Sequence, residues 1–279
     1  MQEKINVQTF SQLAKIFETK TWNIKDQESS SFFNRVSRTL QGLNNEEQQT
    51  FLRLLDMMEY YTISDYERLL IEVLKKMQNE IDTKKLCFSP IISNRAIPDI
   101  KSSMLVTYLL KSNTIQFDPT LSKLKMTLQL DLEDNQITNL NRRSTFLILV
   151  DDFIGTGSSA IETAEYFINK GVLKDKIIIL SLVTLNKGIE CITEQGFKFV
   201  YAVKSLSLPE QIESLIDEDR MSFKKNVETI SEKIGIETDD YWGYESSSAL
   251  LSMIRVPNNT IGAFWKGKNK ENIPFPRFN

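Results

Sequence analysis

Residues 146–160, FLILVDDFIGTGSSA, bring the most chemistry into the shortest stretch of the chain. Two adjacent carboxylates, Asp151 and Asp152, precede Gly155, Thr156, Gly157, Ser158 and Ser159. The glycines let the backbone turn tightly and approach a ligand. The helix expected to follow opens with unpaired N–H groups, joined by three hydroxyls, and this combination cradles a phosphate monoester. Carboxylates beside such a cradle repel further phosphate but accept hydrogen bonds from a vicinal diol. A ligand with a phosphate at one end and two hydroxyls beside it satisfies both halves, and ribose 5-phosphate has that shape.

Rival readings of the same residues can be weighed on chemistry. Residues 155–160, GTGSSA, match the G-x-G-x-x-A dinucleotide fingerprint in form. Two acids immediately before it would sit against a pyrophosphate, however. The next apolar run, KIIILSLVTL, ends in Asn186 and Lys187, without the ribose-binding acid that fingerprint expects. There is no G-K-[ST], so the segment is not a Walker A loop. A strand, turn and helix that bind nothing is the plain structural alternative.

The chain has 279 residues and no histidine. That excludes Ser-His-Asp and Cys-His nucleophile systems and His-based zinc sites. Proton transfer falls to carboxylates, Lys, Tyr, substrate or water, and a catalytic metal would be a hard cation held by oxygen. The net charge of −3 gives no global basic field for nucleic acid or an anionic membrane. Cys87 and Cys191 each lie in apolar surroundings and read as buried free thiols, which suits a reducing cytoplasm. The first residues lack a signal-peptide pattern, and no apolar run is long enough to span a bilayer. A cytoplasmic protein with no membrane partner is expected.

The acids and the cradle need elements to position them. Residues 146–150 are an unbroken apolar run, as a central parallel strand requires, and deliver the acids to its carboxyl edge, where α/β folds bind ligands. A strand is expected over 145–150 and a helix over 158–169, whose buried face carries Ala160, Ile161, Ala164, Phe167 and Ile168. Further strands are expected over 86–92, ended or edged by Pro90, and over 176–185 and 197–203. A helix is expected near 103–110. Alternating strands and helices indicate βαβ units and a parallel sheet. Residues 113–144 read as a hairpin or a mobile loop.

Residues 1–83 read as a helical section. One helix is expected over 45–61, and another is capped by Ser64 with Glu67 completing a capping box. Residues 84–206 form the α/β core. Residues 207–279 form a helical and aromatic extension, helical to about 234, and the aromatic content of its tail predicts packing on the core.

The run Val150-Asp151-Asp152-Phe153-Ile154-Gly155-Thr156-Gly157-Ser158-Ser159 resembles the phosphoribosyl-diphosphate (PRPP) motif of type I phosphoribosyltransferases: apolar residues, two acids, small or apolar residues, then T-G-[ST]. At the level of fold the resemblance covers residues 84–207. It implies an α/β parallel sheet flanked by helices, with PRPP as substrate and Mg²⁺ as cofactor. Asp151 and Asp152 would be the catalytic and metal-binding acids, holding the ribose 2- and 3-hydroxyls. Gly155 and residues 156–159 would hold the 5-phosphate.

The family also has a pyrophosphate loop, for which residues 93–103 are the candidate. There Lys101, Ser102 and Ser103 could bind diphosphate or simply be surface residues. Arg142 and Arg143 could likewise serve the diphosphate or be solvated. No base-selecting hood is recognisable. The overall plan is similar to phosphoribosyltransferase-like proteins of bacterial conflict and antiphage loci, some linked to retron reverse transcriptases. That likeness implies transfer of phosphoribosyl to an unknown acceptor in a defence setting. The alternative is a non-catalytic PRPP or nucleotide sensor, or an effector subunit with protein partners in a defence complex.

Overall fold

The computed structural model describes residues 5–22, 27–81, 83, 85–93, 100–198, 200–206 and 220–277. In chain order the elements are α1 (Val7–Thr19), α2 (Gln27–Gln41), α3 (Asn45–Met57), β1 (Glu59–Tyr60), α4 (Ile63–Glu80), β2 (Lys85–Pro90), α5 (Ser102–Leu109), α6 (Asn113–Gln116), β3 (Lys125–Leu128), α7 (Asp134–Arg142), β4 (Thr145–Ile154), α8 (Ser158–Asn169), β5 (Ile177–Leu185), α9 (Asn186–Glu194), β6 (Val200–Leu206), α10 (Arg220–Ile234) and β7 (Leu251–Ser252). In place of three successive sections, the chain forms two compact units. Residues 61–207 make one; residues 1–60 and 208–279 make the other. Helix α4, expected in an N-terminal section, therefore belongs with the sheet.

The sheet unit holds five strands in the order β3-β2-β4-β5-β6, all parallel. β4 lies at the centre, with Leu147, Ile148, Leu149 and Val150 fully buried, and every residue of β5 is buried. Strands covered on both faces need such continuous apolar runs. On one face, Ile137 and Leu140 of α7, Ala160, Ala164 and Phe167 of α8, and Ile192 of α9 close over Leu147, Leu149, Ile177 and Ile179 in one apolar cluster. α4 packs on β5 and β6, and α5 packs on β2 and β4.

From β2 the chain moves outward to β3, then returns across β2 to β4. The connections leaving β2 and β4 therefore diverge, and the crevice between their carboxyl ends is the topological switch point at which such sheets bind ligands.

Four sequence expectations are corrected. Residues 113–144 form no hairpin: β3 is a four-residue edge strand parallel to β2, followed by α7. β4 continues through both acids to Ile154, because Phe153 and Ile154 still pair with Val183 and Thr184. The third strand starts at Val200, and Phe197 enters the apolar cluster ahead of it. Helix α4 begins two residues early, with Thr62 as N-cap. Asp65 accepts from the Thr62 N–H at 2.9 Å and from its hydroxyl at 3.0 Å. Asp65→Ala should therefore cost about 1 kcal/mol, read as a fall of roughly 2–4 °C in melting temperature.

The second unit is helical and aromatic. Phe17 meets Trp22 and Phe32 at ring-centroid distances of 5.2 and 4.9 Å. The tail joins this core, with Phe275 on Phe32 at 4.4 Å and Phe264 stacked on Phe51 at 5.0 Å. β7 pairs in parallel with β1. Of the helix expected over 207–234, residues 220–234 form α10; residues 207–219 lie outside the described residues. Among the described residues, no helix is long and apolar enough to cross a membrane.

Candidate functional site

The site is assembled where β4 ends. Gly157 is the N-cap of α8, with φ of +87°, a left-handed conformation that glycine adopts without strain. No side chain caps this helix and its first turn holds no acid. The exposed Ser158 and Ser159 open it, and the Thr156 and Ser158 hydroxyls share a hydrogen bond at 2.8 Å. Open N–H groups, the positive end of the helix dipole and adjacent hydroxyls give this turn the chemistry of an anion cradle.

The cradle is held from two sides. The Ile92 N–H donates to Thr163 Oγ1 at 3.1 Å, and the Thr163 hydroxyl donates to the Ser159 carbonyl at 2.7 Å, tying the first turn of α8 to the segment after β2. Gly188, in the first turn of α9, comes so close that a Cβ there would lie 2.5 Å from the Gly155 carbonyl oxygen. Nothing in the local sequence marks Gly188, because the contact that requires a glycine there comes from a turn 33 residues earlier.

The two acids have different surroundings. Asp152 is 5% exposed. Its Oδ2 accepts from the Tyr66 hydroxyl of α4, and its Oδ1 from the Ser102 hydroxyl of α5, each at 2.7 Å. Asp151 is half-buried, and its Oδ1 accepts from the Asp152 N–H at 2.9 Å. Burial pushes the Asp151 carboxyl well above the usual carboxylate range. The Asp152 charge and a hydrogen bond between the two carboxyls add to this, while the Asp152 N–H and the charge of Lys101 oppose it. The crevice thus brings together Asp151, Asp152, Gly155, Thr156, Gly157, Ser158 and Ser159 with Lys101 and Ser102 of the second loop. Of that loop, residues 94–99 lie outside the described residues.

Arg142 and Arg143 are not brought here. They precede the amino end of β4, nine and eight residues before Asp151, or roughly 25–30 Å at about 3.3 Å per residue. Tyr66 is a site residue that sequence reasoning missed. Its one signal is a phenol on the otherwise apolar buried face of α4, and a buried Tyr hydroxyl needs a partner.

Among the described residues, no cluster of three or more His, Cys, Asp or Glu side chains could hold a metal alone. Each oxygen of Asp152 accepts one protein hydroxyl, and Asp151 is the more exposed of the two carboxylates. That donor set fits a Mg²⁺ ion carried chiefly by substrate phosphates, since this ion keeps waters and takes one or two carboxylates beside phosphate oxygens.

The family model described as PRTase-CE matches residues 36–277. Among solved structures, the chain is similar to the orotate phosphoribosyltransferase from Aeropyrum pernix, with 15% identity, a TM-score of 0.34, and coverage of 55% of this chain and 76% of that one. It is also similar to the APRTase from Giardia lamblia complexed with 9-deazaadenine, with 15% identity, a TM-score of 0.32, and coverage of 50% and 80%. No curated protein matches the chain.

Proposed function

The chain belongs to the PRTase-CE family, a phosphoribosyltransferase-like family, and on that premise we propose that its crevice binds PRPP with Mg²⁺ and transfers the phosphoribosyl group to a nucleophilic acceptor. One observation carries this reading: an uncapped helix N-terminus with three hydroxyls stands beside a half-buried carboxylate at the switch point of the sheet. Residues 156–159 hold the 5-phosphate. Asp151 accepts from the ribose hydroxyls. Lys101 and the first N–H groups of α5 face the diphosphate. Mg²⁺ neutralises charge on that leaving group when bound.

The bond from the anomeric carbon to diphosphate breaks, the electron pair leaves with diphosphate, and a bond from the acceptor forms in its place. Positioning and electrostatics supply the rate, because charge develops on sugar and leaving group. With no histidine in the chain, the acceptor's proton passes to a carboxylate or to water. The plan of helices before the core and an aromatic tail after it supports a role in a bacterial conflict or antiphage setting. The two free cysteines support a reducing, cytoplasmic location.

Calorimetry with PRPP and Mg²⁺, paired with an assay of diphosphate release over a broad acceptor panel, tests the proposal. Saturable binding and release above the Asp151→Asn background are expected. Binding without release would assign a sensor in place of a transferase. No binding of PRPP or ribose 5-phosphate would sink both.

A further inference from the structure

Asp152 lies near the carboxyl end of β4 with almost no solvent access, and each of its oxygens is held by a protein hydroxyl. Tyr66 and Ser102 each donate to one of them, over 2.7 Å. Hydroxyl donors this close to a carboxylate make strong, charge-assisted bonds. Tyr66 is fully buried on α4, which packs on β5 and β6 and also meets α5. Ser102 is the first residue of α5, and the next residue is pinned as well: the buried Ser103 hydroxyl donates to the Ile91 carbonyl at 2.7 Å. Two consecutive serines thus fasten the start of α5, one to β4 through Asp152 and one to the segment leaving β2. Lys101, the residue just before them, is held where its charge reaches Asp151.

We propose that Tyr66 is a positioning residue for the diphosphate half of the site, acting through Asp152 and Ser102, so that Asp151 is left as the acid that meets the sugar. This rests on the PRPP reading of the crevice and adds to it. The Tyr66 hydroxyl fixes the Asp152 carboxylate in the rotation that presents Oδ1 to Ser102. Without it, a desolvated oxygen loses its partner and the carboxylate is free to turn. The first turn of α5 then loses its tie to β4, and the Lys101 ammonium and the α5 N–H groups drift from the leaving group. The cradle at residues 156–159 has its own tie, through Thr163, that does not pass through Tyr66, Asp152 or Ser102. Ser102 accordingly serves through its bond to Asp152, and the direct contact with diphosphate falls to backbone N–H groups and Lys101.

The consequence is a split between ligands. Calorimetric titration of ribose 5-phosphate, and separately of inorganic diphosphate and PRPP with Mg²⁺, should be run on the parent protein, Tyr66→Phe, Ser102→Ala and the double variant. Tyr66→Phe keeps the ring and removes one hydroxyl. It should weaken diphosphate and PRPP about 10-fold, in line with the cost of small misplacements in a site, and ribose 5-phosphate several-fold less, because its cradle keeps its tie through Thr163 and only the Asp151 contact neighbours the change. Ser102→Ala should do the same, and the double variant should be no worse than Ser102→Ala alone, because the two hydroxyls act in series.

Equal losses for ribose 5-phosphate and diphosphate would show a merely structural role and overturn the inference. Unchanged diphosphate affinity, or full additivity in the double variant, would also overturn it. Should Tyr66→Phe fail to fold, the ligand split in Ser102→Ala decides. Failure of the parent protein to bind any of the three ligands would overturn the PRPP reading first and this inference with it.

Discussion

Asp151→Asn should weaken ribose 5-phosphate binding about 10- to 100-fold and, in the same protein without ligand, raise the melting temperature at pH 8. The first effect follows from a lost charge-assisted acceptor, since a hydrogen bond to a charged group contributes about 1.5–3 kcal/mol. The second follows from the cost of a confined carboxylate. Burial and the neighbouring Asp152 raise the proton affinity of Asp151 in the folded protein above that in the unfolded chain. Between the usual carboxylate range and the raised folded value, the folded state therefore binds more protons than the unfolded one. Stability falls as pH rises through that window and is flat above it.

Asparagine does not titrate, so its advantage grows with pH across the window and is absent near pH 4. A gain of roughly 2–4 °C is expected for about 1 kcal/mol in a chain of this size, as is usual when a functional group held at a cost is removed. The parent protein's affinity for ribose 5-phosphate should rise with pH over the same window, because the diol needs the ionised acceptor. Melting curves from pH 4 to 8, with and without ribose 5-phosphate, check both halves. A variant less stable than its parent at every pH, with unchanged affinity, would mean that Asp151 is a structural acid.

The parts of this site legible in the sequence were those written in contiguous residues. The helix expected over 158–169 is α8 to the residue, because two glycines, three hydroxyls and a 3.6-residue apolar period agree there. The parallel sheet followed from the apolar runs of β4 and β5. What contiguity does not encode was lost. Thr62 with Asp65 and Ser64 with Glu67 satisfy the same capping pattern, and only the packed helix selects the first. β3 is a four-residue edge strand alternating exposed and half-buried positions, too short for a period to register. The different surroundings of Asp151 and Asp152 depend on Tyr66, 86 residues from Asp152 in sequence, and on Ser102, for which the sequence leaves a diphosphate contact and a plain surface role both open. A pair of adjacent acids announces a ligand site, but which acid faces the ligand is decided by what packs beneath the strand.

Gly188→Ala isolates that tertiary layer most sharply. Inside a helix, alanine for glycine should stabilise by up to about 1 kcal/mol, and nothing in the φ of Gly188 opposes the change. The added methyl, however, would sit 2.5 Å from the Gly155 carbonyl oxygen and 3.1 Å from Ile154 Cγ2. The first neighbour is backbone and cannot rotate away. It cannot retreat freely either, because a Cβ built on Gly157 would lie 3.0 Å from both the Gly188 carbonyl oxygen and Ile192 Cγ1, so α9 and the turn already touch along this whole seam. Overpacking of this kind costs about 1–3 kcal/mol, which exceeds the gain in helix propensity.

The strain must be relieved by moving residues 155–157 outward, and those residues aim the proposed phosphate cradle. Ribose 5-phosphate affinity should therefore fall about 10- to 100-fold, with a melting temperature roughly 2–4 °C lower. Gly42→Ala is the control, for its Cβ would lie 3.6 Å from the Thr39 carbonyl oxygen, an ordinary contact, and both readouts should stay near those of the parent. Gly188→Ala with parental affinity and a raised melting temperature would show that the turn after β4 has slack, and that the cradle is not set by the approach of α9.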